Sequence, residues 1–159
     1  MTTSVSWPSD NLPLPSIAGY ALKPQPNVDR SDMDSGPARQ RRRGTQTPTE
    51  IPVQFELTLT ELMIFESWYR YVALEGAAWF NITLLGGIGL VSHEARFKSS
   101  DPYQAVPHNG ENWMVTSVLE VRDRPMLDGE MLDVALDSDL TALLAAIASF
   151  HTLVHSTLP

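Results

Sequence analysis

The chain has 159 residues, 43% of them hydrophobic, which suits one domain with a real core and material left over for extensions. It carries no cysteine, which excludes disulfides, thiolate metal sites and a cysteine nucleophile. Its net charge of −8 makes free nucleic acid an unfavourable partner for the protein as a whole.

The N-terminus, MTTSVSWPSDNLPLP, lacks the basic start and the apolar run of a signal peptide. No later stretch has the unbroken apolar length of a span, so no membrane insertion is expected. Residues 1–37 read as an extended arm. Six of the twelve prolines fall in it, and no helical or strand period could bury a face. Such an arm must borrow its core, most simply from a neighbouring subunit. Its anchors would be Trp7, Leu12, Leu14, Ile17, Tyr20 and Leu22. On that reading, deletion of residues 1–37 leaves a folded core but weakens the assembly.

ARQRRRG, residues 38–44, reads as a charged edge strand, and IPVQFEL, residues 51–57, as a strand with Ile51, Val53, Phe55 and Leu57 on one face. The spacing then predicts a helix over 59–75. Thr58 and Glu61 form a capping-box pattern, flanked by Leu57 and Leu62 at staple positions. Leu62, Phe65, Trp68, Tyr69 and Val72 make its apolar stripe, and Gly76 its stop. AAWFNITLL reads as the next strand, with Phe80, Ile82 and Leu84 inward and Trp79 pointing the other way. LLGGIGL is a turn, and LVSHEARFK a strand with Val91, Ala95 and Phe97 inward. A polar loop through Asp101 and HNGEN leads to WMVTSVLEVR, where Trp113, Val115, Leu119 and Val121 share a face. Residues 126–159 read as an acidic linker and a C-terminal helix, 138–158, with Leu140, Leu143, Leu144, Ile147, Phe150 and Val154 as its stripe.

Few side chains suggest chemistry. His151 and His155 have the spacing of a two-histidine metal pair, but no HExxH glutamate and no third ligand accompany them. His93 and Glu94 are adjacent in a strand, so they point to opposite faces and cannot share acid–base work; solvated or inter-strand contacts are expected. GGIG lacks the spacing, the lysine and the following helix of a phosphate loop. Arg39, Arg41, Arg42 and Arg43 hold four of the eleven basic residues. They read either as a phosphate-binding strip or as partners for acidic groups on a neighbour, and an acidic chain favours the second. No enzyme, cofactor or metal is expected. The core is assigned to Phe65, Trp68, Tyr69, Phe80 and Trp113. Subunit contacts are assigned to Trp7, Leu14, Tyr20, Trp79 and the arginines Arg39, Arg41, Arg42 and Arg43.

The order SGPARQRRR, IPVQFELT, LTELMIFESWYRYVALEG, AAWFNITLL, a further strand pair and WMVTSVLEVRDRP resembles the minor tail protein family of long-tailed bacteriophages, of the lambda minor tail protein M type, and more loosely the distal tail proteins. The likeness covers residues 36–124. It implies an α+β core, an antiparallel β-barrel or sandwich over 38–125 with one packed helix, flanked here by the arm and the C-terminal helix. It further implies a structural virion protein of the phage tail, made in the host cytoplasm. Such a protein forms a homo-oligomeric ring, usually a hexamer, at the tail tip or as a tail adaptor. Its partners would be copies of itself, the tail tube protein and other tail-tip proteins, with DNA passing through unbound. An acidic wall, with Glu94, Asp101 and Glu111 as its candidates, would suit such a channel. Two alternatives differ in class. One is a small metal-binding or ligand-binding enzyme domain built on His93, His108, His151 and His155. The other is a nucleic-acid adaptor using the Arg39–Arg43 strip.

Overall fold

The computed structural model describes residues 3–44, 47–98 and 102–137. The chain divides into two compact units, residues 1–125 and 126–159. The fold is α+β. In chain order the first unit contains β1 (Lys23–Pro24), β2 (Val28–Ser31), β3 (Arg39–Arg42), β4 (Thr49–Thr58), α1 (Leu59–Tyr71), a 3-10 turn (Leu74–Gly76), β5 (Phe80–Gly86), β6 (Gly89–Phe97), β7 (Tyr103–His108) and β8 (Asn112–Val121). The second unit contributes α2 (Gly129–Asp137), in the segment read as an acidic linker. The helix predicted over 138–158 lies outside the described residues.

Six strands make one antiparallel sheet in the order β1-β4-β8-β6-β5, with β7 also paired to β8. Strand β8 is its hub. One edge pairs with β4 over its whole length, from Thr49↔Val121 to Thr58↔Asn112. The other edge is shared: β7 takes 112–117 and β6 takes 119–121. Strict alternation drives this arrangement. Ile51, Val53, Phe55 and Leu57 of β4 meet Val115, Leu119 and Val121 of β8 and Phe80, Ile82, Leu84, Ala95 and Phe97 of β5 and β6 in one buried cluster. Strand β7 stands where a polar loop was expected. Its sequence, YQAVPH, is short, ends near Pro107 and buries no residue fully, so it carries little apolar signal.

Helix α1 closes the cluster from one side. Thr58 caps it, with the Thr58 hydroxyl accepting from the Glu61 amide and the Glu61 carboxylate accepting from the Thr58 amide at 2.7 Å. Leu62, Phe65, Trp68 and Tyr69 are buried. The helix ends at Tyr71, earlier than the expected 75, and Val72 lies outside the stripe, 41% exposed. The cause is backbone geometry. Leu74, Glu75 and Gly76 have φ of 50°, 56° and 92°, three left-handed residues in succession. Only Gly76 suits that conformation. A Cβ there would also meet the Phe97 Cβ at 3.0 Å, so the turn packs tightly on β6. The Tyr69 hydroxyl donates to the Glu75 carbonyl at 2.9 Å and fastens the turn.

The sheet is not closed into a barrel, contrary to the expected β-barrel. Strands β4 and β5 do not pair, and the arm occupies their outer edges instead. On β5, Ser6 forms a parallel bridge with Asn81, and Trp7 N–H donates to the Asn81 carbonyl at 2.8 Å. On β4, Ser16 N–H donates to the Gln54 carbonyl at 2.7 Å, and β1 pairs with Thr49 and Glu50. Between these contacts the arm inserts Trp7 and Leu12 into the core, 4% and 2% exposed. The Trp7 ring stacks on Phe55 at 5.0 Å, meets Trp68 edge-on at 5.1 Å and lies 6.2 Å from both Phe65 and Phe80. Its indole N–H donates to the Pro13 carbonyl at 3.3 Å. The arm thus finds the core it lacks on its own chain. The expected source of that core was a neighbouring subunit; for Trp7 and Leu12 it is the chain's own sheet and helix.

Two outcomes follow from this packing. Trp7→Ala should destabilise the protein by about 3–5 kcal/mol, the usual cost of emptying a buried tryptophan site; chemical denaturation showing a loss below about 1 kcal/mol would mean that the arm is not part of the core. Leu74 is 59% exposed, so Leu74→Gly gives up little packing. Relief of its left-handed backbone should stabilise the protein by about 1 kcal/mol, read as a raised Tm.

Candidate functional site: an ionic sheet face and an arginine ribbon

The outward face of the sheet is lined by charge pairs. Alternation turns Glu94 and Arg96 of β6 and Glu120 of β8 away from the core. Arg96 then meets Glu120 at 2.8 Å, Arg122 meets Glu94 at 3.0 Å, and Lys98 meets Glu50 at 2.7 Å. These pairs are partly exposed, so each contributes at most about 1 kcal/mol. Trp79 joins this face. The Arg96 and Arg122 guanidinium groups lie over its ring at 4.6 and 4.3 Å, and its carbonyl accepts from the Thr3 hydroxyl at 2.7 Å. The outward position expected for Trp79 is therefore occupied, and its π-face is engaged by its own chain. Glu94, a candidate for a channel wall, is neutralised by Arg122, whereas Glu111 stands exposed in the β7–β8 turn. Asp101 lies outside the described residues.

The arginines lie elsewhere. Strand β3 is not an edge of the main sheet. It pairs with β2 to form a separate two-stranded ribbon, with all eight of its strand residues exposed. The register Val28↔Arg42, Asp29↔Arg41, Arg30↔Gln40 and Ser31↔Arg39 puts Arg39 and Arg41 on the face that carries Asp29. The base is laced: the Asn27 side chain both donates to and accepts from Gly44, and Arg43 meets Asp29 at 2.6 Å. Arg30 meets Asp32 at 3.0 Å. The Arg39 and Arg41 side chains form no ion pair among the described residues. The sequence reading missed β2 because its residues, VDRS, alternate without burying anything, and burial is what periodicity reports.

Of the other arm residues assigned to contacts, Trp7 is buried within its own chain. Leu14 is 39% exposed, and Tyr20 is half-buried with its hydroxyl donating to the Leu85 carbonyl at 2.8 Å. Phe65, Trp68, Tyr69 and Phe80 lie in the core, and Trp113 packs half-buried against it. Helix α1 also presents an outward apolar groove lined by Met63, Ile64, Trp68, Tyr71 and Val72, which the sequence reading did not single out.

Of the four histidines, His93 and His108 fall within the described residues. His93 is 2% exposed, so of the expected solvated or inter-strand contacts solvation does not hold; the alternation that buries Ala95 and Phe97 buries it too. Its Nδ1 lies 2.8 Å from the Val91 carbonyl, and its Nε2 has no partner among the described residues. Burial holds its pKa below the ordinary 6.5; the Val91 hydrogen bond opposes that shift, and the Arg124 charge adds to it. His108 is exposed at the end of β7, and His151 and His155 lie outside the described residues. No group of three metal-ligating side chains occurs among the described residues. A polar cleft holds Glu66, Tyr69, Arg70, Glu75 and Tyr103. Both phenols there are pushed above their ordinary value, first by burial and then by Glu75 for Tyr69 and Glu66 for Tyr103. They stay protonated and act as hydrogen-bond donors, which suits positioning of the turn and not proton transfer near neutral pH. No family model, curated protein or solved structure matches this chain.

The neutral, buried His93 gives a pH dependence of fixed sign. Its folded pKa is depressed, so below pH 6.5 the unfolded chain takes up a proton that the folded chain resists. Stability should therefore fall as the pH drops below 6.5 and be unaffected by this group above it. His93→Leu should flatten that acid limb in thermal melts; parallel Tm–pH curves for variant and parent would refute the assignment.

Proposed function

We propose that this chain is a structural subunit of a bacteriophage tail, a tail-tip or distal tail ring component or a tail adaptor, with no catalytic role. The reading rests first on the ordered resemblance to minor tail proteins over residues 36–124. The observation that carries it further is the β2–β3 ribbon. A lone two-stranded ribbon is marginal in water, and this one buries neither face on the rest of its unit. Packing against another molecule would add the burial that such a ribbon lacks. Copies of the same chain, arranged as a ring and most simply a hexamer, are the partners proposed, with the tail tube protein and other tail-tip proteins above and below.

The arm runs along the open sheet and does not close it into a barrel. Ser6 lines the outer edge of β5, Ser16 lines the outer edge of β4, and Tyr20 reaches the end of β5, so one segment covers both sides of the open sheet. Charge supports the passage of DNA. A net charge of −8 disfavours trapping of phosphates along a channel.

The test is the mass in solution by light scattering, with images of the particle by electron microscopy. A closed ring with a central channel is the expected result. A chain that stays monomeric at every concentration would overturn the reading.

A further inference from the structure

We propose that the arginine ribbon of one copy seats on the acidic helix α2 of a second copy, joining subunits head to tail. This rests on the reading of the chain as a ring subunit and names the contact that builds the ring.

Charge complementarity is the first argument. Residues 27–44 hold five arginines against three aspartates, so the ribbon segment is net positive in a chain of net charge −8. Residues 126–159 hold Asp128, Glu130, Asp133, Asp137 and Asp139 and no lysine or arginine at all. The most basic projection of the chain and its most one-sidedly acidic segment are therefore separate pieces of the same sequence.

Geometry is the second. Arg39 and Arg41 are two residues apart on one face of a strand, about 7 Å along it. Glu130 and Asp133 are three apart on α2, on one face and with Cβ atoms about 5–6 Å apart. One guanidinium can thus meet each carboxylate. Both partners are formed beforehand. Asp128 caps α2, accepting from the Met131 amide at 2.8 Å, and Asn27 clamps the ribbon base. Met33 in the ribbon's connecting loop is 50% exposed, and Met131 and Leu132 beside the α2 carboxylates are 41% and 49% exposed. These supply the apolar contact that ion pairs alone would lack. DNA fits the ribbon less well, because three aspartates interrupt its arginines.

The contact is heterologous: a surface on one subunit meets a different surface on the next. That kind of contact closes into a ring when its rotation permits.

The experiment is a charge swap. Arg39→Glu with Arg41→Glu makes the ribbon acidic, and Glu130→Arg with Asp133→Arg makes α2 basic; all four side chains are exposed, so thermal melts should match the parent. Each variant alone should associate roughly tenfold or more weakly by light scattering across a dilution series. Mixing the two variants, or combining both swaps in one chain, should restore association. If the parent forms rings and both variants form them equally well, this contact is wrong while the ring reading stands. A parent that is monomeric throughout overturns both. Salt-dependent binding of duplex DNA by the parent, lost in the ribbon variant while association is unchanged, would assign the ribbon to nucleic acid and also overturn the proposal.

Discussion

The first unit depends on one side chain from outside its sheet, Trp7. The gap between α1 and the sheet is ringed by Phe55, Phe65, Trp68 and Phe80, and the Trp7 indole lies within 5.0 to 6.2 Å of all four. Aromatic groups prefer such stacked and edge-on arrangements, and together they exclude water from the centre of the fold. Without Trp7, helix and sheet would face each other across a void about the size of an indole. Voids of that size are costly because the surrounding structure relaxes only partly.

That single insertion also explains what the arm does to the sheet. To bring Trp7 inside, the chain must pass along β5, where it bonds to Asn81. To leave again it must pass β4, where it bonds to Gln54 and then forms β1. Both outer edges of the sheet are thereby used. Exposed edges invite uncontrolled pairing between molecules, and a covered edge cannot serve as a template. The outward face is treated in a similar way. Arginine, lysine and glutamate pair across it, and Trp79 is overlaid by Arg96 and Arg122. The core, the two edges and the charged face are largely satisfied within the chain itself.

Much of this was legible in the sequence where burial follows a period. The alternation in IPVQFEL and WMVTSVLEVR located β4 and β8, and the Thr58–Glu61 box marked the start of α1 to the residue. Legibility failed where structure depends on long-range contact. Nothing near Trp7 in sequence says that its partners are Phe55, Phe65, Trp68 and Phe80. A proline-rich segment with scattered anchors reads the same whether it clasps a neighbour or its own core. Strand β2 was hidden because all its residues are exposed, and β7 because it is short and bears Pro107. The end of α1 was misjudged because Gly76 is the obvious stop, whereas the chain already turns left-handed at Leu74.

With part of the arm buried in the core, the candidate surfaces for a partner lie on other parts of the chain. An arm buried at Trp7 and Leu12 has few anchors left for a neighbour, chiefly Leu14 and Ile17 on its exposed side. The proposed association then rests on surfaces that the fold leaves unsatisfied. The α1 groove is apolar, with 63% of Met63 and 73% of Tyr71 exposed, but the structure does not show what would cover it. The ribbon differs in that its chemistry favours an acidic partner. Arg39 and Arg41 are long cations held on a preformed strand, and guanidinium groups favour paired carboxylates over bulk water when their geometry is fixed beforehand. In this chain such carboxylates are concentrated, without any compensating base, in the segment after Pro125. The charge asymmetry therefore supports contact between unlike surfaces of identical subunits more strongly than it supports binding of a polyanion, which that segment would repel.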